Sequence, residues 1–246
     1  MIFRRIVGAE VLDGLAVHDP AAQRSRRDLQ RVHRVMGTRG IVLGALRALP
    51  IRHSGAPPLQ VLELGAGDGS LMLGVARALQ GEWPAVALTL LDRQHLLHPS
   101  TVDDYAAVGW TVTAQVGDAL DWAAGDGTAW LPPAASRWDL IVVNLFLHHF
   151  HAPQVGALLA AVAARTEHFF ACEPHRAWLA WAGSHLIGAL GVNAVTREDA
   201  VLSVNAGFRG AELQALWPAT AEKWTLAEYP AGLFSHCLSS CMRPAS

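Results

Sequence analysis

Val61-Leu62-Glu63-Leu64-Gly65-Ala66-Gly67-Asp68-Gly69-Ser70 is the stretch that decides the fold of this chain. It begins as a short, mostly apolar run, which is typical of a buried strand, and passes through three glycines spaced GxGxG into a helical segment. Glycine lets the backbone approach a ligand closely because no Cβ intervenes. In a parallel sheet such a turn lies at the carboxyl end of a strand, where ligands bind. The stretch therefore predicts a strand–turn–helix unit that binds a ligand.

Outward from this unit, short apolar runs alternate with helical stretches along the chain. Further strands are expected at 86–91, 111–116, 140–143 and 169–172, and helices at 70–79, 101–108, 155–164 and 177–190. Such alternation predicts a parallel sheet with right-handed crossovers. The last two expected strands, 224–229 and 234–239, are joined by only four residues, so the final strand should run antiparallel. The predicted fold class is α/β, a Rossmann-like doubly wound sheet that is mostly parallel.

The residues before the glycine motif predict a helical extension. Residues 20–48 have the pattern of a helix because Leu29, Val32 and Met36 recur at helical spacing among arginines. Pro50 and the run 55–58 then interrupt the chain. We therefore divide it into an N-terminal helical lid or extension at 1–55 and an α/β domain at 56–246. His18, His33 and Arg34 are candidate lid residues.

Composition limits the function classes. Of the 246 residues, 52% are hydrophobic and 16% are charged, which predicts a globular domain with a full core. A net charge of −2 and a pI near 6.6 argue against nucleic-acid binding, which needs a basic face. Three cysteines without a CxxC pair favour a reducing compartment. The first residues lack the pattern of a signal peptide, and the apolar stretch 177–192 is too short for a membrane span. We expect a cytoplasmic protein.

Two carboxylates predict the class of cofactor. Glu63 stands two residues before Gly65, where it would repel a pyrophosphate but suits the cationic amino-acid end of S-adenosylmethionine (SAM). The GxGxG spacing also differs from the GxGxxG of dinucleotide sites. Asp92 ends the second strand, where a carboxylate can accept both ribose hydroxyls. Because NAD sites share that geometry, Asp92 supports a nucleoside without naming it, and a nicotinamide cofactor stays an alternative.

Two later motifs complete a family pattern. Gly117-Asp118-Ala119-Leu120 follows the third strand, and the stretch 138–150 carries a strand ending at Asn144 and then His148-His149. Together with the glycine motif, these stretches resemble the class I SAM-dependent methyltransferases, especially the ubiquinone and menaquinone C-methyltransferases. The stretches 173–176 and 193–200 resemble a narrower bacterial group associated with polyketides and aromatic lipids. The resemblance implies the seven-stranded methyltransferase fold for 56–246.

The same resemblance implies a cofactor site and a reaction. The Asp118 carboxylate would face the adenine amino group, the backbone amide of Ala119 would meet the ring, and Arg93 and Asn144 would be further cofactor contacts. SAM would give up its methyl group and leave as S-adenosylhomocysteine. The expected acceptor is a small, lipophilic aromatic or polyketide-like metabolite of secondary metabolism. Methylation at oxygen is favoured over methylation at carbon.

Four residues are candidates for the chemistry. His149 is the first candidate for the base that removes the proton of a hydroxyl acceptor, and His148 is the second, although both could be structural. Glu173 and His175, at the end of the fifth strand, are expected to face the same pocket as a carboxylate–histidine pair. No metal site is expected, because adjacent histidines on a helical turn should point in different directions.

Two other functions stay open at this stage. A catalytically silent SAM-binding or scaffold protein would keep the cofactor site and transfer nothing. An NAD-dependent reductase would use the same scaffold, but the GxGxG spacing and Glu63 count against it. The expected partner is a small-molecule substrate, with no nucleic acid and no integral membrane segment. A homodimer is left open.

Overall fold

A computed structural model describes residues 4–50, 57–126, 130–131, 135–218 and 223–243 of the chain. Seven strands form one sheet: β1 (Leu59–Leu64), β2 (Val86–Asp92), β3 (Trp110–Val116), β4 (Trp138–Asn144), β5 (Thr166–Pro174), β6 (Trp224–Ala231) and β7 (Ser235–Met242). The helices are α1 (Pro20–Met36), α2 (Thr38–Ala48), α3 (Ser70–Leu79), α4 (Pro99–Ala107), α5 (Ala119–Ala124), α6 (Ala152–Arg165), α7 (Trp178–Leu186), α8 (Ala194–Ala206) and α9 (Glu212–Ala215). Short 3-10 turns cover Leu12–Gly14, Leu147–His149 and Ile187–Leu190.

The strand order is β3-β2-β1-β4-β5-β7-β6. The first five strands pair in parallel, whereas β7 pairs antiparallel with both β5 and β6. The predicted fold class is therefore confirmed, including the antiparallel last strand. The chain leaves β1 toward β2 on one side and reaches β4 on the other, so the topological switch point lies between β1 and β4. Ligands bind at this position in doubly wound sheets.

Both faces of the sheet are covered, as the nearly continuous apolar runs of β1 and β4 require. Leu62 and Ile141 pack into the cluster that includes helix α6. Val61 and Val142, which alternate with them, pack into a second cluster on the other face with α2 and α3. This burial fixes the sheet as a rigid base from which the loops at the strand ends project.

The helices differ from the predicted ones in several places: the short helices α5 and α9 were not expected, and the helix expected at 177–190 ends at Leu186. The helix expected at 20–48 is broken at Gly37, whose left-handed backbone (φ 70°) ends α1 and begins α2. Helix α8 was not predicted, because its apolar and polar residues are not separated onto opposite faces of the helix. It begins at Ala194, and the side chain of the preceding Asn193 caps it by accepting a hydrogen bond from the Thr196 amide. The proposed boundary at 55/56 lies outside the described residues, and the division into two domains stays a prediction.

Among the described residues, no helix has the length and apolar character needed to cross a bilayer.

Candidate functional site

The glycine turn after β1 has the backbone that its sequence predicts. Gly65, Gly67 and Gly69 all have positive φ, at 69°, 58° and 73°. At Gly65 a Cβ would lie 2.3 Å from the ring of Phe146, so this position needs glycine for space as well as for conformation. Helix α3 then begins at Ser70. The amides of Gly65 and Ala66 donate to the Leu91 carbonyl, and that of Gly69 donates to the Ala66 carbonyl, so the turn is a rigid, internally bonded loop at the switch point.

Asp92 ties the glycine turn to the end of β2. Its Oδ2 accepts a hydrogen bond from the Gly67 amide at 2.9 Å, and its Oδ1 accepts one from the Gln94 amide at 2.9 Å. Asp92 caps no helix, since α4 begins only at Pro99 with His98 as its cap. The carboxylate instead holds a loop on the cavity wall, beside the glycine turn.

Two buried acceptors beside the turn have no donor. Glu63 on β1 is 3% exposed, and within the described part of the chain its Oε2 has no hydrogen-bond partner. Burial, followed by the charges of Asp68 and Asp92, raises the pKa of Glu63 well above its ordinary value. The Oδ1 atom of Asn144, at the end of the adjacent strand β4, is also buried without a partner. Such atoms are costly to bury, so the site is suited to a group that donates hydrogen bonds and carries positive charge.

The other predicted cofactor residues lie at the edge of this region. Asp118 accepts a hydrogen bond from the Leu120 amide at 2.7 Å and caps α5, and Ala119 is the buried first residue of that helix. Neither is among the residues that line the cavity. Arg93 does line it, and its guanidinium lies 3.4 Å from Asp13.

A cavity of about 770 Å³ opens above the strand ends. Its floor includes the glycine turn, Asp92 and Asn144, and one wall carries His148 and His149. The remaining walls are largely apolar and come from α1, from α7 with the 3-10 turn after it, and from α8: Leu29, Val32, Val35, Met36, Ala180, Leu186, Ile187, Leu190, Ala200 and Val204. The arrangement combines a polar, backbone-lined end with an apolar end.

The turn that carries the two histidines is held by Glu173. Its carboxylate accepts hydrogen bonds from the amides of Phe146, Leu147 and His148 at 3.0, 2.8 and 3.3 Å. It also lies 2.9 Å from Nδ1 of His148. Just before the turn, Leu145 has a φ of 50°, which is unusual for a residue other than glycine. The fully buried Glu173 therefore fixes both the turn and one ring.

His148 lies between two carboxylates. Its Nε2 is 3.3 Å from Oε1 of Glu10, opposite the contact with Glu173. Burial by itself lowers the pKa of His148, but the hydrogen bonds with Glu10 and Glu173 outweigh it and raise the pKa to about 9. The His148 ring is thus fixed in a buried position in the cavity wall.

His149 stacks on His148, with ring centroids 4.2 Å apart and planes tilted by 33°. The expectation that adjacent histidines point in different directions is therefore wrong for this pair, because the 3-10 turn and the carboxylates bring both rings to one side. Nδ1 of His149 lies 3.4 Å from Asp13. Burial and then the charge of His148 lower the pKa of His149. Its side chain is 22% exposed, on the cavity wall.

Glu173 pairs with His148 and not with His175. After β5 the chain turns aside, and His175 forms an isolated bridge with Phe208 and stacks on His236 with centroids 5.5 Å apart. His175 is not among the residues that line the cavity. The expected carboxylate–histidine pair thus exists with a different histidine.

Sequence reasoning missed the segment before α1. Arg5 donates hydrogen bonds to carbonyls of the histidine turn, the strongest to Phe150 at 2.8 Å, and to Ala206 at 2.7 Å. Asp199 on α8 accepts from the amides of Val11 and Leu12. These contacts hold residues 5–13 over the histidine turn and bring Glu10 and Asp13 to it. No local sequence pattern around Glu10 or Asp13 indicates that these residues lie against the histidine turn.

The three candidate lid residues differ. His33 on α1 lines the cavity, and burial lowers its pKa to about 4, opposed in part by Asp68. His18 and Arg34 are exposed and do not line the cavity.

Solved structures of methyltransferases share this fold. The chain superposes on the plantazolicin methyltransferase BpumL in complex with S-adenosylhomocysteine with a TM-score of 0.59 and 11% identity, over 92% of both chains. An O-methyltransferase family protein from Burkholderia thailandensis gives a TM-score of 0.56 and 15% identity, over 93% of this chain and 62% of that one. A structure described under the conversion of a disulfide bond into a thioacetal group during echinomycin biosynthesis gives a TM-score of 0.52 and 19% identity, over 83% of this chain and 82% of that one.

No family model and no curated protein matches the sequence. At these identities the structural likeness establishes the fold, which is the seven-stranded class I methyltransferase fold.

Proposed function

We propose that this protein is a SAM-dependent methyltransferase that methylates a small, lipophilic acceptor, at oxygen rather than carbon. The observation that carries the proposal is the pair of buried acceptors without donors, on Glu63 and Asn144, beside a glycine turn at the switch point. The class I methyltransferase fold and the apolar cavity support it.

The residues at the strand ends fit SAM in charge and in hydrogen bonding. Glu63 and Asn144 would accept hydrogen bonds from the ammonium group, and Asp92 would accept them from the ribose hydroxyls. Asp118 and Ala119 would hold the adenine, with Arg93 beside the ribose. Bound SAM supplies a methyl group activated by a sulfonium. S-adenosylhomocysteine is the expected product.

A nicotinamide dinucleotide fits the same region poorly. Its pyrophosphate would have to lie at the glycine turn, within the field of Glu63, Asp68 and Asp92. Of the two arginines that line the cavity in the described part of the chain, Arg93 is paired with Asp13, whereas Arg26 donates to the neutral groups of Gln94 and Val17 and keeps its charge. The carboxylates of Asp68 and Asp92 would repel the pyrophosphate, whereas a cationic cofactor is attracted by them and also favours ionisation of Glu63, whose pKa is raised without it.

The cavity walls favour an apolar acceptor. Pockets of 300–1,000 Å³, roughly, hold drug-sized ligands, so about 770 Å³ is suited to a cofactor with a small acceptor beside it. Leu29 and Val32 of α1 and Leu186 and Ile187, at the end of α7 and in the turn after it, are among the apolar lining residues. An acceptor between them would be shielded from water, which keeps the reacting groups in a near-attack arrangement.

The histidine turn gives the wall its reactive groups. In a metal-free site, His149 is placed to take up the proton of an acceptor hydroxyl as the new oxygen–methyl bond forms. His148, the second candidate base, has a pKa raised to about 9, so it already carries a proton near neutral pH and serves as the buried neighbour of His149. Glu173 positions the turn, and Asp13 lies against Nδ1 of His149. A hydroxyl acceptor needs such a group, which is why oxygen is preferred over carbon. We assign no role to His175.

The partners and location follow from charge and composition. With a net charge of −2, the chain lacks the basic excess that nucleic-acid binding requires. We therefore propose a small-molecule substrate and no nucleic acid, and action in the cytoplasm. A homodimer is left open, and sedimentation measurements would determine the oligomeric state.

Calorimetric titration tests the cofactor assignment. SAM and NADH are titrated separately into the wild-type protein and into Asp92→Ala. We expect micromolar binding of SAM that the substitution weakens, and no comparable binding of NADH. Absence of SAM binding, or tighter binding of NADH, would refute the proposal. SAM binding without transfer to any of a panel of lipophilic phenols would favour a catalytically silent SAM-binding protein.

A further inference from the structure

We propose that Glu10, His148 and His149 bind one divalent transition-metal ion, such as Zn²⁺, on the wall of the cavity. One potential ligand atom from each of these residues lies within 4.8 Å of those of the other two. All three residues line the cavity. The inference goes beyond the cofactor site and, in its consequence for the acceptor, rests on the proposed methyl transfer.

The distance between Glu10 and His148 fits two ligands of one metal. Oε1 of Glu10 and Nε2 of His148 are 3.3 Å apart, whereas a charge-assisted N–H···O bond is usually about 2.7–2.9 Å. Two ligands of a tetrahedral ion with bonds of about 2.0–2.1 Å lie roughly 3.3–3.4 Å apart. The pair is therefore spaced as an edge of such a tetrahedron. Side-chain rotation of His149 would complete the set.

A carboxylate lies beside Nδ1 of each histidine. Nδ1 of His148 is 2.9 Å from Glu173, on the side opposite Glu10, and Nδ1 of His149 is 3.4 Å from Asp13. A histidine that binds a metal almost always donates its other N–H to a carboxylate, carbonyl or water. Glu173 is such a partner for His148, and it fixes the tautomer in which Nε2 carries a lone pair.

Carboxylates dominate the surroundings of the two rings. Those of Glu10, Asp13 and Glu173 lie against them. Arg93, which pairs with Asp13, and Arg5, which donates to carbonyls of the turn, offset part of this negative charge. A metal ion would take the place of the proton that His148 holds between Glu10 and Glu173. Two imidazoles and one carboxylate suit zinc, iron or cobalt, whereas magnesium prefers oxygen ligands. The cavity leaves the remaining coordination positions open to water or to the acceptor.

A metal in this position would change how the acceptor is ionised. A hydroxyl oxygen bound to the ion loses its proton more easily, because the ion stabilises the resulting anion. The proton passes to water, and the oxygen's electron pair then forms the bond to the methyl group while the bond from the methyl carbon to sulfur breaks. His149 would act as a ligand in this state rather than as the base.

Metal binding is measured on untagged, chelator-treated protein by calorimetric titration with Zn²⁺ and by the visible absorption of Co²⁺. The wild type is compared with Glu10→Gln and His149→Ala, and with His151→Ala as the matched control, since His151 is exposed and outside the cavity. Circular dichroism checks that each variant is folded. SAM is titrated into the same samples.

We expect one Zn²⁺ per wild-type chain, a Co²⁺ spectrum of a four- or five-coordinate ion, and at least tenfold weaker binding in both site variants but not in His151→Ala. Affinity that is equal in all four proteins, or no binding to the wild type, would overturn the inference. SAM binding without metal binding removes this inference alone. Metal binding without SAM binding supports it and removes the proposed function instead.

Discussion

Replacing Glu63 by glutamine should stabilise the protein and weaken its binding of SAM. Glu63 is 3% exposed, and its Oε2 has no donor among the described residues. Leaving a buried polar atom unpaired costs about 1–3 kcal/mol, and more when the group is charged. Glutamine keeps the shape and removes the charge, although its amide also lacks partners. We therefore expect the free energy of unfolding to rise by roughly 1 kcal/mol or more at pH above the folded pKa of Glu63, which for a chain of this size raises Tm by about 2–4 °C per kcal/mol.

The same substitution removes the charge that would hold the ammonium group. A hydrogen bond to a charged group contributes about 1.5–3 kcal/mol, so the Kd for SAM should rise about ten- to hundredfold. Calorimetric titration measures this change. Gln60→Glu, at a partly exposed position of the same strand, is a control for general effects of charge. A variant that is less stable and binds SAM as well as the wild type would refute the reasoning.

The direction of the pH dependence follows from the raised pKa of Glu63. Its carboxyl ionises at a higher pH in the folded protein than its ordinary value of 4.5. The stability it contributes is therefore present below that ordinary value and is lost as pH rises through the folded pKa. A bound cation lowers the pKa again, so SAM should bind more tightly as pH rises over this range, with release of a proton. Glu63→Gln should flatten both dependences in thermal melts and titrations.

Three further substitutions test other parts of the site. His149→Ala should lower kcat at least a hundredfold while the Kd for SAM changes less than threefold. His151→Ala should leave both kcat and Kd unchanged. Equal turnover in the two variants would remove His149 from the chemistry. Gly65→Ala places a Cβ 2.3 Å from Phe146 at a φ of 69°, so the turn must shift and the affinity for SAM should fall at least tenfold in titrations. An affinity equal to that of the wild type would contradict the assignment of this turn to the SAM site. Arg5→Gln should lower the free energy of unfolding by about 1–3 kcal/mol and reduce turnover, because carbonyls of the histidine turn lose their donor. Denaturant titrations measure the change in stability. Unchanged stability would show that those hydrogen bonds do not stabilise the fold.

The predicted fold and glycine turn depend on local signals. Apolar runs of strand length predicted the sheet, and the short connection between 229 and 234 predicted the antiparallel end, since no crossover helix fits there. The prediction of one continuous helix at 20–48 was wrong. Gly37 adopts a left-handed backbone that ends the first helix, and the spacing of apolar residues gives no sign of such a break. Helix α8 was missed because its residues lack that periodicity.

The candidate site was predicted only where its residues lie next to a strand end. Glu63, Asp92 and Asn144 follow from the sheet, because the carboxyl ends of parallel strands meet at one edge. The pairing of Glu173 was predicted with His175, its sequence neighbour, whereas the structure gives it to His148. The turn after β4 and the end of β5 come together only when the strands pair.

The sequence by itself determined the order of strands and helices, the glycine turn and the acidic residues at the strand ends, because each depends on neighbouring residues. Only the tertiary structure decided that Glu10 and Asp13 lie against the two histidines. Glu10 and His148 are separated by 138 positions, and their contact depends on Arg5 and Asp199 holding the N-terminal segment in place. Contacts between distant segments arise from the packing of the whole chain, and a single acidic residue carries no local pattern that reports its partner.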